Sequence, residues 1–199
     1  MKKFIPPLTA TMLDELASCL GAGGTVLFPT ETVYGIAAHP AKLDGIRRII
    51  ELKSRDPNKP MQLLLADVNQ LEKLSGLIVP PLARAIAKRF WPGALTMVLH
   101  YENGGTEGLR VPASDVAQQL CAVAGGCLRT TSANVSGEAP ALTATAAAAA
   151  IPEADIIVEG EIAAIGMAST VCEVTPDGVL KILRPGPISE EELRGCYED

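Results

Sequence analysis

The chain has 199 residues, of which 48% are hydrophobic and 20% are charged, and its formal net charge at pH 7 is −6. A disordered protein is poor in apolar residues and rich in charge, so this composition excludes disorder of the whole chain. The length fits one domain, or at most two small ones. The negative total argues against a protein that coats nucleic acids or membranes by general charge attraction, although a local basic patch remains compatible with it.

Helix-end signals and apolar runs predict an alternation of helices and strands. Thr11 can cap a first helix that ends at Gly21. Pro80 suits the first turn of a later helix, where a missing N–H costs nothing, and Ser189 and Glu192 have the spacing of a capping box. In chain order we predict helix 11–20, strand 25–28, helix 41–52, strand 62–66, helix 80–90, strand 95–99, helix 115–123, strand 127–131, helix 143–150, strands 156–159, 170–174 and 179–183, and a short helix after Ser189. This order predicts an α/β fold, a single domain on a mixed sheet with flanking helices.

The N-terminus and the cysteines bear on the cellular compartment. The first ten residues lack the apolar segment of a signal peptide, and no uninterrupted apolar stretch reaches the roughly 18–20 residues that a membrane span needs. The five cysteines are odd in number, widely spaced and without a C-x-x-C pair, which favours reduced thiols over disulfides or a zinc site. We therefore expect a cytoplasmic protein with no structural metal and no membrane partner.

Positive charge is concentrated in one segment of the chain. Residues 42–89 contain ten Lys or Arg and five acidic residues, whereas residues 91–180 contain only two basic residues, Arg110 and Arg129. The basic segment favours attraction for an anion such as a nucleotide phosphate, or for RNA. A solvated helix face explains many of these charges equally well, and a scattered surface arginine is the alternative at Arg110 and Arg129.

Two polar segments follow predicted strands or helices and can bind a small polar substrate. Residues 29–35, PTETVYG, follow a buried strand, and ligands of open α/β sheets bind beyond the carboxyl ends of strands. Residues 53–60, KSRDPNKP, place three cations within seven residues, in which arginine offers a fork to phosphate oxygens and lysine a point charge. No Walker A pattern is present. An ordinary turn and a solvated basic loop are the alternatives.

Three further segments carry isolated polar groups near strand ends. Ser132 and Asn134 follow the predicted strand 127–131 and could bind a phosphate or a ribose, although such residues usually form turns. The other two segments are Arg110-Val111-Pro112, and Ser169-Thr170 with Arg184-Pro185-Gly186. No G-x-S-x-G pattern or neighbouring histidine supports a serine nucleophile.

Taken in order, seven segments resemble the YrdC/TsaC-type family, the threonylcarbamoyl-AMP synthases, in its short, single-domain form. The segments are PTETVYG, KSRDPNKP, FWPGALT, RVP, TSANVSG, STV and RPG. The resemblance runs from about residue 23 to residue 187, within a single domain over residues 1–199. It implies a twisted mixed sheet that encloses a large, positively charged cavity.

The resemblance also implies a reaction, in which L-threonine, bicarbonate and ATP give threonylcarbamoyl-AMP and pyrophosphate. Magnesium is expected to accompany ATP, and a separate transferase complex would move the product's threonylcarbamoyl group to tRNA, which is a further candidate partner. Carried over by motif, the residues expected to face L-threonine are Thr32, Arg110, Thr130 and Ser169. Those expected to face ATP are Arg55, Lys59, Ser132, Asn134 and Arg184, and Lys53 and Arg55 are expected to act in catalysis.

Two other functions remain open at this stage. The first is a paralogue of the family with the same cavity but a different carbamoylation or a nucleotide-binding role. The second is a non-catalytic RNA-binding module that uses the basic segment 42–89, whose binding would weaken steeply with salt. Loss of Arg110 would abolish synthesis but leave RNA binding nearly intact, so this substitution separates the synthase from the RNA module.

Overall fold

A computed structural model describes residues 1–160 and 163–197 of the chain. Within these residues the chain forms eleven β-strands and six α-helices. The strands are β1 Lys2–Phe4, β2 Val26–Phe28, β3 Gly35–Ala38, β4 Gln62–Leu65, β5 Leu77–Ile78, β6 Leu95–Tyr101, β7 Thr106–Arg110, β8 Cys127–Ser132, β9 Ile156–Val158, β10 Thr170–Val174 and β11 Leu180–Arg184. The helices are α1 Ala10–Gly21, α2 Leu43–Leu52, α3 Pro81–Phe90, α4 Asp115–Val123, α5 Ala144–Ala150 and α6 Glu190–Arg194.

All the strands belong to one mixed sheet. Its order is β1-β9-β2-β3-β8-β4-β7-β6-β10-β11, and β5 pairs with β6 outside this path. The pairs β1–β9, β9–β2, β4–β7 and β6–β10 are parallel, and the other pairs are antiparallel. The α/β class and the mixed sheet predicted from the sequence are therefore confirmed.

The helix ends follow local capping chemistry. Thr9, not the predicted Thr11, caps α1, because its side chain accepts a hydrogen bond from Met12 N at 3.3 Å. Helix α3 has Pro81 in its first turn. Ser189 and Glu192 form both hydrogen bonds of a capping box at the start of α6, as predicted. The predicted helices are thus present, with ends that differ by one or two residues.

Strands β1, β3, β5 and β7 were not predicted. Strand β3 has the sequence GIAA and β7 has the sequence TEGLR, and neither contains the β-branched or alternating pattern that marks a strand. Strand β3 forms because it pairs on both sides, with β2 and with β8. Strand β7 likewise pairs with β4 and β6. Strands β3 and β7 therefore form because they pair within the sheet, and not because of the local preference of their residues.

One face of the sheet is covered by helices over only part of its width. Leu64 on β4 and Leu128 on β8 are buried in a cluster with residues of α1 and α4. Alternate residues of a strand share a face, so Gln62 and Thr130 continue this face beyond the two helices. On the opposite face, Leu63 and other residues of the same strands pack against α3. The uncovered part of the first face is where a cavity forms.

The cysteines of the fold are thiols and form no disulfides. All five cysteines are free, and burial raises the pKa of the Cys172 thiol to about 12. Among residues 1–160 and 163–197, no helix has both the length and the apolar character that crossing a membrane requires.

Candidate active site

A cavity of about 450 Å³ lies over the uncovered part of the sheet. Its size is within the range of roughly 300–1,000 Å³ that small-molecule sites occupy. Eight of the ten predicted site residues line it, namely Thr32, Arg55, Arg110, Thr130, Ser132, Asn134, Ser169 and Arg184. Segments that are up to about 150 residues apart in sequence are therefore brought to one site.

The sheet supplies one side of the cavity, which we call the sheet floor. The floor consists of Gln62, Thr96, Gly108, Arg110 and Thr130, with Ser169 directly before β10. The loops that follow α2 and β8 supply the facing side, which we call the loop side. It consists of Arg55, Pro60, Asn134, Glu138 and Pro140.

Arg110 is fixed in place at the end of β7. Only 3% of this residue is exposed. Its Nε donates to Gly93 O at 3.0 Å, and its Nη2 donates to Glu31 Oε1 at 2.7 Å and to Thr32 Oγ1 at 2.9 Å. The Glu31 carboxylate balances the buried charge, and Nη1 is the guanidinium nitrogen left for a ligand. A carboxylate or another anion is the ligand that this geometry suits.

A hydrogen-bonded row of side chains crosses the floor from Arg184 to Gln62. Arg184 Nη2 donates to Ser169 O at 2.8 Å and to Ser169 Oγ at 3.3 Å. Ser169 Oγ lies 2.8 Å from Thr96 Oγ1, which donates to Gln62 Oε1 at 2.7 Å. Gly186 makes the contact at the Arg184 end possible, because a Cβ there would lie 2.4 Å from Thr170 N. The floor thus presents hydroxyl groups whose positions are set by their neighbours.

Three arginines bring positive charge to the cavity. Arg55 Nη2 donates to Pro60 O at 2.8 Å, and burial lowers the pKa of Arg55. Burial also lowers the pKa of Arg184, and the nearby charge of Arg110 lowers it further. Like charges placed this close disfavour one another, and a bound anion removes that cost. A polyanion such as a nucleotide phosphate chain therefore fits the charge of the site.

Lys53 does not line the cavity, although the sequence predicted that it faces the nucleotide, and its catalytic role stays a prediction. It is 1% exposed, and its ammonium group donates to Ser132 O and Asn134 O. The next residue, Ser54, has a φ of +48°, in the left-handed region. The chain therefore turns sharply after α2, so that Lys53 points inward while Arg55 reaches the cavity. Lys53 acts by holding the strand end and loop that carry Ser132 and Asn134.

Lys59 does not line the cavity either, although the sequence predicted an ATP contact. The residue is exposed. It lies one residue before Pro60, whose carbonyl oxygen accepts from Arg55, so it belongs to the outer part of the same loop. A lysine side chain is long and flexible, and at this position it is a solvated cation near the opening.

Asn134 and Arg129 are close in sequence, but only Asn134 lines the cavity. Asn134 lines the cavity, and its Nδ2 donates to Val135 O and Glu138 O, which closes the loop. Arg129 faces away from the cavity. It makes a bidentate pair with Glu107, at 2.7 and 2.8 Å, and therefore stabilises the fold.

Sequence reasoning missed Glu31, Gln62 and Thr96. Glu31 lies in the PTETVYG segment, but its role depends on Arg110, which is 79 residues away in sequence. Gln62 lies in a segment that was predicted only as a strand, and Thr96, although it ends the FWPGALT segment, was not named as a site residue. A polar residue inside such a strand is a signal that its face borders a cavity, and this signal was available in QLLL and LTMVLHY.

Comparison with known proteins identifies a family and curated relatives that share one name. The Sua5/YciO/YrdC family model, described as "Telomere recombination", matches residues 18–186. A Bacillus subtilis protein named threonylcarbamoyl-AMP synthase is 35% identical over 193 residues, which cover 91% of this chain and 55% of that protein. A Chromohalobacter salexigens protein of the same name is 33% identical over 184 residues, which cover 87% of this chain and 98% of that protein.

A solved structure agrees with the observed fold. The crystal structure of P. abyssi Sua5 complexed with L-threonine superimposes with a TM-score of 0.86 at 30% identity, over 98% of this chain and 60% of that chain. The chain spans about half the length of the B. subtilis protein and nearly all of the C. salexigens protein.

Proposed function

The chain belongs to the Sua5/YciO/YrdC family, and from this premise we propose that it is an L-threonylcarbamoyladenylate synthase. The amino group of L-threonine would attack bicarbonate to give the N-carboxylate and water. An oxygen of this carbamate would then attack the α-phosphorus of ATP, forming the mixed anhydride threonylcarbamoyl-AMP and releasing pyrophosphate. The single cavity lined by residues from all seven motif segments is the observation that carries this proposal.

L-Threonine would bind at the sheet floor. Arg110 has one guanidinium nitrogen left for the carboxylate, and its other nitrogens are already held by Gly93 O, Glu31 and Thr32. Thr130 and Ser169 would contact the amino and hydroxyl groups. These residues are 2–3% exposed, and the bound substrates would displace water from the place where the amine must stay neutral and free to react.

ATP would bind between the loop side and Arg184. Arg55 and Arg184 would contact the phosphates, and Ser132 and Asn134 would contact the nucleotide from the other loop. Negative charge grows on the leaving pyrophosphate, and fixed cations stabilise it more in the transition state than in the ground state. Positioning both substrates in one cavity can supply roughly 7–11 kcal/mol of the barrier, so the proposed site relies mainly on positioning and electrostatics.

Magnesium would enter as the complex with ATP. The carboxylates at the cavity are Glu31, Glu107 and Glu138, of which the first two are paired with arginines. Phosphate oxygens and water are the ligands that Mg²⁺ prefers, so the donor set fits a metal held chiefly by the nucleotide. When bound, the metal neutralises phosphate charge beside the arginines.

Threonylcarbamoyl-AMP would be the substrate of a second reaction. A mixed carbamic–phosphoric anhydride is reactive, so a transferase complex would accept it and carry the threonylcarbamoyl group to tRNA. The reaction would take place in the cytoplasm, where ATP and tRNA are available. The strands that carry the site residues belong to one continuous sheet, and we expect the domain built on this sheet to perform the synthesis.

The proposed reaction is tested with purified protein, ATP, Mg²⁺, bicarbonate and L-threonine. We expect mass spectrometry to detect threonylcarbamoyl-AMP and pyrophosphate, and reactions without threonine or without bicarbonate to yield neither. Arg110→Ala should abolish the product. Arg47→Ala is the matched control, because Arg47 is exposed on α2 and pairs only with Asp44. Product formation that is independent of threonine, or intact in Arg110→Ala, would contradict the proposal.

A further inference from the structure

We propose that Gln62 and Thr96 are positioning residues that hold the Ser169 hydroxyl as a hydrogen-bond acceptor for the amino group of the amino-acid substrate. The proposal deepens the proposed function, since it concerns the residues that orient the amino acid at the sheet floor. Thr96, Ser169 and Thr130 are each at most 4% exposed, so this part of the floor is shielded from bulk water.

The direction of the hydrogen bonds follows from counting protons. A hydroxyl group has one proton to donate and two lone pairs. Thr96 Oγ1 donates its proton to Gln62 Oε1, and the distance of 2.7 Å is typical of an O–H···O bond. Thr96 has then no proton left for Ser169, so in the 2.8 Å contact between them Ser169 is the donor.

The Arg184 end of the row is consistent with this direction. Arg184 can only donate, and its Nη2 lies 3.3 Å from Ser169 Oγ. Ser169 therefore accepts one bond from Arg184 and donates its only proton to Thr96. The remaining lone pair is what Ser169 offers to a ligand. An N–H group suits that lone pair, whereas a carboxylate oxygen is repelled.

Gln62 and Thr96 can meet because β7 has a glycine between them. Gln62 lies on β4 and Thr96 on β6, and β7 runs between these strands. A Cβ at Gly108 would be 3.6 Å from Thr96 Cγ2 and 3.7 Å from Gln62 Cβ. A methyl group would thus fit, but a larger side chain would come between the two residues. The same amide of Gln62 extends toward Thr130, where Nε2 lies 3.5 Å from Oγ1.

This arrangement sets the orientation of the amino acid. The carboxylate goes to the free nitrogen of Arg110, and the amino group goes to the lone pair of Ser169. In the opposite orientation, the carboxylate would face a hydroxyl that has no proton to give it. The row from Arg184 to Gln62 therefore selects one of two orientations through the direction of its hydrogen bonds.

The test compares Thr96→Val, Thr96→Ser and Gln62→Met by calorimetric binding of L-threonine and by steady-state kinetics. Thr96→Val keeps the shape but removes both bonds, and we expect Kd and KM for L-threonine to rise about tenfold, the effect of one lost hydrogen bond of ~1.4 kcal/mol. Thr96→Ser should restore both constants. Gln62→Met should raise them about three- to tenfold, because Thr96 loses its acceptor. The KM for ATP and kcat should stay within about twofold in all three.

Thr170→Val is the matched control. Thr170 is adjacent to Ser169 and fully buried, and within the described part of the chain its hydroxyl bonds only with the backbone of Ile188. This variant should lower the melting temperature without changing the threonine constants. Threonine constants within twofold of wild type in both Thr96→Val and Gln62→Met would overturn the inference, as would an equal change for threonine and ATP.

The two proposals fail in different ways. A wild-type protein that binds L-threonine but forms no product contradicts the proposed function, while the binding constants of the variants still test the positioning role. A wild-type protein that does not bind L-threonine overturns the inference itself. If Thr96→Val does not fold, Gln62→Met tests the positioning role instead. Gln62 is only partly buried at the cavity, so its replacement does not disturb the packing beneath the floor.

Discussion

The sheet floor and the loop side of the cavity are held by different kinds of contact. On the floor, Arg110 is 3% exposed and makes three hydrogen bonds to groups on other segments. On the loop side, Arg55 makes one hydrogen bond, to the carbonyl of Pro60 in its own loop. A group held by several segments is preorganised, whereas a group held within its own loop can adapt to the ligand. The floor is therefore suited to binding a small amino acid specifically, and the loop side to binding a larger, flexible polyphosphate.

Replacing arginine with lysine, at Arg110 on the floor and at Arg55 on the loop side, should give the largest difference in substrate kinetics between the two regions. Lysine carries the charge but lacks the planar fork, so it cannot serve several fixed acceptors and a ligand together. We expect Arg110→Lys to lower kcat/KM for L-threonine by about 100-fold, which corresponds to ~2.7 kcal/mol. Arg55→Lys should raise the KM for ATP by only about tenfold, because Arg55 is held only within its own loop and an ammonium group can still serve a phosphate as a point charge.

Arg129→Lys is the control for the loss of a half-buried arginine–carboxylate pair. It breaks the bidentate contact with Glu107, which lies outside the set of groups proposed to bind substrate. We expect a lower melting temperature with less than a threefold change in either KM. If Arg110→Lys impaired the use of L-threonine by the same factor as Arg55→Lys impaired the use of ATP, the floor would be no more preorganised than the loops.

Alanine substitutions in the loop after α2 should separate the roles of Arg55 and Lys59 in ATP binding. Arg55 lines the cavity and Lys59 is exposed. We expect Arg55→Ala to raise the KM for ATP about 30-fold, the loss of one charged hydrogen bond of ~2 kcal/mol. Lys59→Ala should change it less than about threefold at physiological salt, because the charge of an exposed residue is screened. A larger effect of Lys59→Ala than of Arg55→Ala would mean that the loop closes over ATP with Lys59 inward.

The same two regions show what sequence reasoning could and could not predict. Motifs that bear charges or hydroxyls at strand ends led to Arg110 and Ser169, since such residues are unusual in an apolar context. The chemistry of Gln62 and Glu31 depends on partners that are 34 and 79 residues away, and no local pattern reports such pairs. Lys53 illustrates the opposite failure. Its motif was visible, but only the turn at Ser54 determines that it faces the carbonyls of a neighbouring loop.

Lys53 links the loop after α2 to the loop after β8, and its titration should give the smallest effect. Burial, with a further contribution from the charge of Arg55, lowers its pKa to about 8. Between that value and the ordinary lysine pKa, the unfolded chain binds a proton that the folded chain has lost, so the stability contributed by this group rises with pH. Lys53→Met removes this dependence. We therefore expect the free energy of unfolding of the wild type, relative to Lys53→Met, to increase from pH 8 to pH 10.5 in denaturant titrations.

The direction of that change is what distinguishes the buried lysine from an exposed one. Lys42→Met is the control, because Lys42 is exposed at the start of α2 and the substitution removes a lysine without touching the buried one. It shows whether the pH dependence belongs to the buried ammonium group. A wild-type advantage that falls as pH rises would mean that the carbonyls of Ser132 and Asn134 favour the ammonium form more than burial disfavours it. In that case the loop carrying Asn134 would be held by charge, and it would loosen when Lys53 loses its proton.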